Sequence, residues 1–253
     1  LRVFTISDIH VDYEENFRWL NNLSCDDYHN DLLILAGDVT DALPLFEKSL
    51  QSLRKRFSEV LFIPGNHDLW VRRSKINSLE KLELIKTIAA NCGIQMEPLH
   101  LDSLSIIPLY GWYDYSFGQP SGEIFGNWTD YFACKWPVNY DEKRINQHFI
   151  AMNEPFLTNS NKKDFVISFS HFLPRIDIMP FYIPTDKRSL YPVLGTKLLE
   201  QQIRRLGSNI HVYGHSHVNH QIVKNNTVYI NNAFGYPSES RIAQKELKCI
   251  FEI

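Results

Sequence analysis

Nine residues able to hold a metal or move a proton stand where apolar runs stop. The run RVFTI leads to Asp8 and His10, DLLILAGD ends on Asp38, and LFIPGNHD ends on Asn66, His67 and Asp68. DFVISFSH ends on His171, and NIHVYGHSH on His215 and His217. Any one of these endings is ordinary turn chemistry, since Pro64, Gly65, Asn66 and Asp68 all suit a chain reversal. Five such endings in one chain point to a shared site instead. Asp8, His10, Asp38, Asn66, His171, His215 and His217 offer two carboxylates, four imidazoles and one amide. One ion takes about three to six donors, so seven donors with one shared carboxylate and room for water suit two ions. The set holds no thiolate, and mixed nitrogen and oxygen donors suit divalent manganese, iron or zinc, manganese first.

Chemistry at the ends of runs requires that the runs be neighbours. Apolar, branched stretches of strand length lie at 2–7, 32–36, 60–63, 104–109, 165–170 and 210–213. Helix-like stretches at 14–22 and 44–58 alternate with the first three. In the second, Leu45, Phe46, Ser49, Leu50, Leu53 and Phe57 form a helical stripe behind Pro44. Asp8 and Asp38 are 30 residues apart, and Asp38 and Asn66 are 28 apart, close to the length of one strand-helix-strand unit. Parallel strands joined by right-handed crossovers end on one edge of a sheet, so these side chains should converge. An α/β fold in one domain over residues 1–253 is expected. Further helices are expected at 78–91, with Leu79, Leu82, Leu84, Ile85 and Ala89 on one face, at 141–158 until Pro155 interrupts, and at 196–206 ahead of Gly207. HQIVKNNTVYINN reads as a hairpin and KELKCIFEI as a closing strand.

Residues 110–140 differ in kind, because eleven of the 31 are aromatic. Such a segment suits a satellite core or a lid that shapes a pocket. It contributes Trp112, Tyr113 and Asp114 as candidate substrate contacts, beside Trp70 and Arg72 from the stretch after GNHD. Arg72 and Arg73 suit a substrate phosphate or a solvated face. Arg175, Lys187 and Arg188, in the long proline-rich loop after His171, carry the same two readings. FGYPSE reads as a structural turn or a site edge. His29, His100, His148, His211 and His220 lack motif partners and read as surface or structural.

Composition narrows the function further. The 253 residues are 44% hydrophobic with a net charge of -3, and the isoelectric point near 6.4 gives no basic footprint for nucleic acid. Cys25, Cys92, Cys134 and Cys249 are scattered, which indicates neither a disulfide framework nor a zinc-thiolate site and fits a reducing, cytoplasmic compartment. No apolar stretch approaches the ~20 residues of a membrane span, and the first residues read as a strand.

Taken in order, D-x-H, G-D, G-N-H-D, a lone His after a strand and G-H-x-H resemble the calcineurin-like metallophosphoesterase superfamily, over Asp8 to His217. That resemblance implies two mixed sheets packed face to face with helices outside, an α/β/β/α sandwich, and a dimetal site at the carboxyl ends of the strands. It also implies that Asp8, His10 and His217 hold one ion, Asn66, His171 and His215 the other, and that Asp38 bridges them. The protein-phosphatase branch shows G-D-x-x-D-R-G and G-N-H-E, whereas this chain has GDVTDAL and GNHD. A dedicated protein phosphatase is thereby disfavoured. The implied activity is hydrolysis of a phosphomonoester or phosphodiester by a water bridged between two metals, with a phosphorylated small molecule as the expected partner. His67 is left over as general acid or hydrogen-bond donor to the leaving oxygen, with Asp68 expected to orient its ring. Cyclic nucleotides, nucleotide-sugar or lipid pyrophosphates and phosphoproteins remain open as substrates, and a catalytically silent interaction scaffold is the alternative from another class. Ligand histidines must be neutral to bind metal, so activity should favour neutral to alkaline pH.

Overall fold

The strand-length runs are aliphatic and branched without polar alternation, and strands of that composition need cover on both faces. The structure, a computed structural model that describes residues 1–72, 74–158 and 163–252, supplies it. In chain order the elements are β1 (Arg2–Ile6), α1 (Glu14–Asn22), β2 (Leu32–Leu35), α2 (Leu43–Arg54), β3 (Glu59–Phe62), α3 (Ser78–Asn91), β4 (Leu99–His100) and β5 (Leu104–Pro108). Then come α4 (Gly122–Asn127), α5 (Asp130–Ala133), α6 (Glu142–Met152), α7 (Glu154–Leu157), β6 (Phe165–Phe169), α8 (Lys197–Leu206), β7 (Ile210–Tyr213), β8 (His220–Lys224), β9 (Thr227–Asn231) and β10 (Lys248–Glu252).

Two mixed sheets result. The first has the order β10-β1-β2-β3, parallel except for β10. The second runs β4-β5-β6-β7-β9-β8, parallel at its centre and antiparallel at both edges. One apolar cluster extends from Val3, Leu33 and Leu61 to Ile106, Ile167 and Val212, so the sheets face each other with helices outside, in four layers. Burying each such side chain stabilises by about 1.5–3 kcal/mol. A parallel bridge between Ser7 and Ala233 joins the end of β1 to the chain leaving β9.

The strands and helices expected from the sequence are present, β4, α4 and α5 are additional, and the differences in extent have physical reasons. α2 stops at Arg54 instead of 58, because the Arg56 guanidinium donates to the Ser52, Asn21 and Leu23 carbonyls and ties the turn to the end of α1. The 141–158 stretch is two helices sharing Asn153, and Pro155 opens the second instead of ending the first. Leu84 is exposed, whereas Lys81 is buried, its ammonium donating to the Asp41 and Trp70 carbonyls. The hairpin β8–β9 turns through Asn225 and Asn226, both at positive φ, as a tight two-residue loop requires. Among the described residues, no helix is long and apolar enough to cross a membrane.

Candidate metal centre

The candidate ligands follow the carboxyl ends of β1, β2, β3, β6 and β7. Five of the seven turn there in the left-handed region: Asp8 at φ 53°, His10 at 44°, Asp38 at 59°, His215 at 66° and His217 at 53°. L residues seldom adopt it, and residues held in it collect where function over-determines the backbone. Close approach is needed as well. A Cβ on Gly65 would lie 2.1 Å from Asp38 Oδ1, and one on Gly214 would lie 2.8 Å from Asp8 Oδ2.

Two donor clusters result, Asp8–His10–Asp38–His217 and Asp38–His171–His215, sharing Asp38, with the donor atoms of each within 4.8 Å of one another. His10 Nε2 and His217 Nε2 are 3.1 Å apart, and His171 Nε2 is 3.2 Å from His215 Nδ1 and 3.1 Å from Asn66 Oδ1. Asn66 thereby joins the second cluster. Asp38 Oδ2 lies 3.5 Å from His171 Nε2 and 4.0 Å from His10 Nε2.

Hydrogen bonds on the far side of the rings test whether these residues fit metal. His171 Nδ1 donates to the Ala36 carbonyl at 2.9 Å, His215 Nε2 to the Val193 carbonyl at 3.0 Å, and His217 Nδ1 to Glu239 at 2.6 Å. Each bond fixes a proton on the outward nitrogen, so that the inward nitrogen, once unprotonated, is available as a donor to metal. Charge agrees. Burial, followed by the Asp8 and Asp68 carboxylates, pushes Asp38 well above the usual carboxylate range. Burial also opposes ionisation of Asp8, yet facing His217, His171 and His10 outweigh it and hold Asp8 below its ordinary value. Burial lowers His171 and takes His215 to about 3. Against burial, Asp8 and Glu239 raise His217 to about 9. Divalent cations would offset the crowded carboxylates and replace the His217 proton.

His67 stands beside these donors, its Nε2 3.8 Å from Asp38 Oδ2 and its backbone N–H on Asp38 Oδ1 at 2.9 Å. The ring stacks on Trp70 at 3.6 Å between centroids and meets His10 edge-on at 4.6 Å. The expected steering by Asp68 is corrected by the structure. Its carboxylate accepts from the backbone N–H groups of Gly65, Asp38, Val39 and Thr40, at 2.8, 2.8, 2.9 and 3.1 Å. Asp68 therefore clamps the loop after β3 to the loop after β2, while Trp70 and His10 set the His67 ring.

The candidate substrate contacts divide. Trp70 lines the site as the platform under His67, and the Arg72 guanidinium lies over the indole at 4.5 Å while pairing with Asp41 at 3.1 Å. Arg73 lies outside the described residues. Trp112 and Tyr113 are each 1% exposed, too enclosed to touch a substrate. Trp112 packs on Trp136, Phe149 and Phe172. The Asp114 carboxylate is taken up by Asn146, Thr196 and the Ser116 N–H. Trp112 and Tyr113 thus belong to the main apolar cluster and not to a satellite core, with Asp114 half-buried beside it. Arg175 pairs with Asp177 and Glu200, Lys187 with Asp186, and Arg188 donates to the Ile183 and Phe181 carbonyls. His211 is buried between the Ser168 and Ser170 hydroxyls, and among the described residues none of His29, His100, His148, His211 and His220 joins a donor cluster.

Sequence reasoning missed Glu239, the partner of His217, and Tyr236, whose ring covers His10 at 4.6 Å and His217 at 4.8 Å. Both belong to FGYPSE, brought in because the Phe234 and Gly235 N–H groups bond to the Ser7 and Asp8 carbonyls. Asp130 was missed too. Its carboxylate accepts from Asn66 Nδ2 at 2.9 Å, Trp70 Nε1 at 2.6 Å and Trp128 Nε1 at 2.9 Å. No motif marks it, because its partners come from other parts of the chain or from an aromatic run.

Known proteins resemble this arrangement at three levels. A solved structure of phosphopantetheinyl hydrolase (PptH) from Mycobacterium tuberculosis superposes with a TM-score of 0.83 at 23% identity, covering 98% of this chain and 95% of that one. GAP50, the anchor in the inner membrane complex of Plasmodium, shares the fold more loosely, with a TM-score of 0.50 at 11% identity over 91% of this chain and 70% of that one. In sequence, the [acyl-carrier-protein] phosphodiesterase PptH of M. tuberculosis is 30% identical over 129 residues, covering 46% of this chain and 38% of that protein. The profile of the calcineurin-like phosphoesterases matches residues 1–219, taking in every candidate ligand from Asp8 to His217, and the chain belongs to that family.

Proposed function

We propose that this chain hydrolyses a phosphodiester at a dinuclear centre of manganese, iron or zinc, and that the diester joins a carrier-protein hydroxyl to a phosphopantetheinyl group. The observation that carries the chemistry is the set of outward hydrogen bonds on His171, His215 and His217, which turn three nitrogens toward shared Asp38. The substrate rests on what the two PptH matches are named for. Asn66, His171 and His215 would hold one ion, Asp8, His10 and His217 the other, and Asp38 both. When bound, such a pair of ions acidifies a water and holds the phosphoryl oxygens for in-line displacement.

The chain's own groups do the rest. Burial first, then the neighbouring imidazoles, push His67 well below its ordinary value. At neutral pH it is therefore a neutral N–H donor toward the leaving oxygen or a phosphoryl oxygen, which favours the hydrogen-bonding role over that of a standing acid. Tyr236 closes one side of the centre and also lines, with Tyr13, Arg18 and Ser238, a cleft of about 530 Å³. The organic part of the substrate fits there. A cytoplasmic setting and one domain over 1–253 belong to the same proposal, the four cysteines all being free.

The test is incubation of metal-loaded protein with holo-acyl-carrier protein, reading the carrier's mass, beside p-nitrophenyl phosphate and bis-p-nitrophenyl phosphate. Loss of the phosphopantetheinyl mass with turnover of the diester supports the proposal. Turnover of the monoester alone would move the assignment to a phosphatase. Two bound ions with no turnover of any of the three would favour the silent scaffold.

A further inference from the structure

We propose that Asp130 is a positioning residue for the metal centre: one carboxylate oxygen sets the Asn66 amide toward the metal and fixes the Trp70 indole under His67. This rests on the dinuclear reading above. An amide can face either way, and in isolation its oxygen and nitrogen are nearly interchangeable. Beside Asp130 the choice is forced, because Oδ1 can only accept. Asn66 Nδ2 must therefore point to Asp130 at 2.9 Å, which turns Oδ1 to within 3.1 Å of His171 Nε2, among the donors. The same Oδ1 takes the Trp70 N–H at 2.6 Å, and that indole is the surface on which His67 stacks. A ligand and the proton-bearing imidazole thus share one anchor.

The bland alternative is an acidic residue opening a short helix. Asp130 is the first residue of four-residue α5, where a negative charge is ordinarily favourable. Its described bonds do not serve that helix. These three run to side chains, two of them 60 or more residues away in the loop after β3 and the third to Trp128 on Oδ2, and the Tyr113 hydroxyl faces the carboxylate as well. The carboxylate is 2% exposed and meets neutral donors in place of a cation. Leaving a charge so buried is costly unless the surroundings need it. Carboxylates that orient ligand side chains in this way commonly change metal affinity by about 10- to 100-fold when removed.

Asp130→Asn separates positioning from bulk stability. With the amide oxygen kept toward Asn66 and Trp70, its NH2 meets the Trp128 N–H, two donors face to face. Trp128→Phe removes that conflict. Calorimetric titration of the metal-free proteins with Mn2+ should show two ions on the wild type. Asp130→Asn should weaken one of them at least tenfold and leave the other within threefold, Trp128→Phe should keep both, and the double variant Trp128→Phe/Asp130→Asn should recover most of the loss. A merely structural Asp130 would weaken both ions together and gain nothing from Trp128→Phe. That result, or two ions bound by Asp130→Asn as by wild type, overturns the proposal and leaves the dinuclear centre standing. A wild type that binds no ion overturns the centre and this proposal with it.

Discussion

His67 and Asn66 are adjacent in sequence, and the proposed function gives them opposite roles, which substitution should separate. His67→Ala keeps every candidate ligand, so two ions should remain while kcat falls by about 10²- to 10³-fold. Asn66→Ala removes a donor that lies 3.1 Å from His171 Nε2 and should lose an ion along with activity. Metal analysis beside steady-state kinetics checks both, and full turnover by His67→Ala on substrates with poor leaving groups would refute the donor role. His217 gives a second prediction. Burial disfavours its protonation, but Asp8 and Glu239 raise it to about 9, so before loading the ring is protonated at neutral pH. Metal at Nε2 must displace that proton. Loading at pH 7–8 should release about one proton from this group, with affinity rising toward pH 9. The calorimetric enthalpy of Mn2+ binding should then depend on the buffer's ionisation enthalpy. Independence from the buffer would show that His217 is already neutral before loading.

Between elements, Asp68 shows how the loops after β2 and β3 become one surface. A carboxylate offers only acceptors, and both oxygens meet backbone N–H groups, two on each. Asp68→Asn turns an NH2 onto two of those donors. The expected cost is about 3 kcal/mol of unfolding free energy, from urea titration of metal-free protein, since orphaned buried donors cost about 1–3 kcal/mol. A variant of wild-type stability that has lost only turnover would restore Asp68 as the partner of His67. The aromatic segment acts at the same scale. Trp112 and Tyr113 fill space behind the site, while Asp130 at the start of α5 reaches into it.

Over the whole molecule, burial of neutral histidines links stability to pH. His211 lies among apolar and hydroxyl groups, and burial lowers it to about 3, against ~6.5 when unfolded. The unfolded chain therefore binds the extra proton between those values. The stability tied to this group is complete above pH ~6.5 and is lost as pH falls toward 3, by about 1.4 kcal/mol per pH unit. His211→Gln should flatten that slope by one proton in denaturation series from pH 4 to 8. An unchanged slope would mean that His211 is already protonated in the fold. Metal acts on the same balance, because ions bound only by the folded state stabilise it by mass action. Chelation should lower the thermal midpoint and excess Mn2+ should restore it. A midpoint indifferent to both would show that the donors do not bind metal in the fold.

What the sequence determined by itself is local or periodic. Apolar runs of strand length, helical stripes between them and a spacing near one crossover unit suffice to bring Asp8, Asp38 and Asn66 to one sheet edge, and run-end motifs name the donors. The partners of those donors are another matter. Asn66 and Asp130 are 64 residues apart, and His217 and Glu239 are 22 apart, joined by no period and no motif. Only the packed loops decide that Asp68 meets backbone instead of His67, that Trp112 and Tyr113 turn inward, and that Tyr236 covers His10. Each outcome depends on which hydrogen-bond donors and apolar surfaces a side chain meets from elements distant in sequence, and those neighbours exist only once the two sheets have closed on each other.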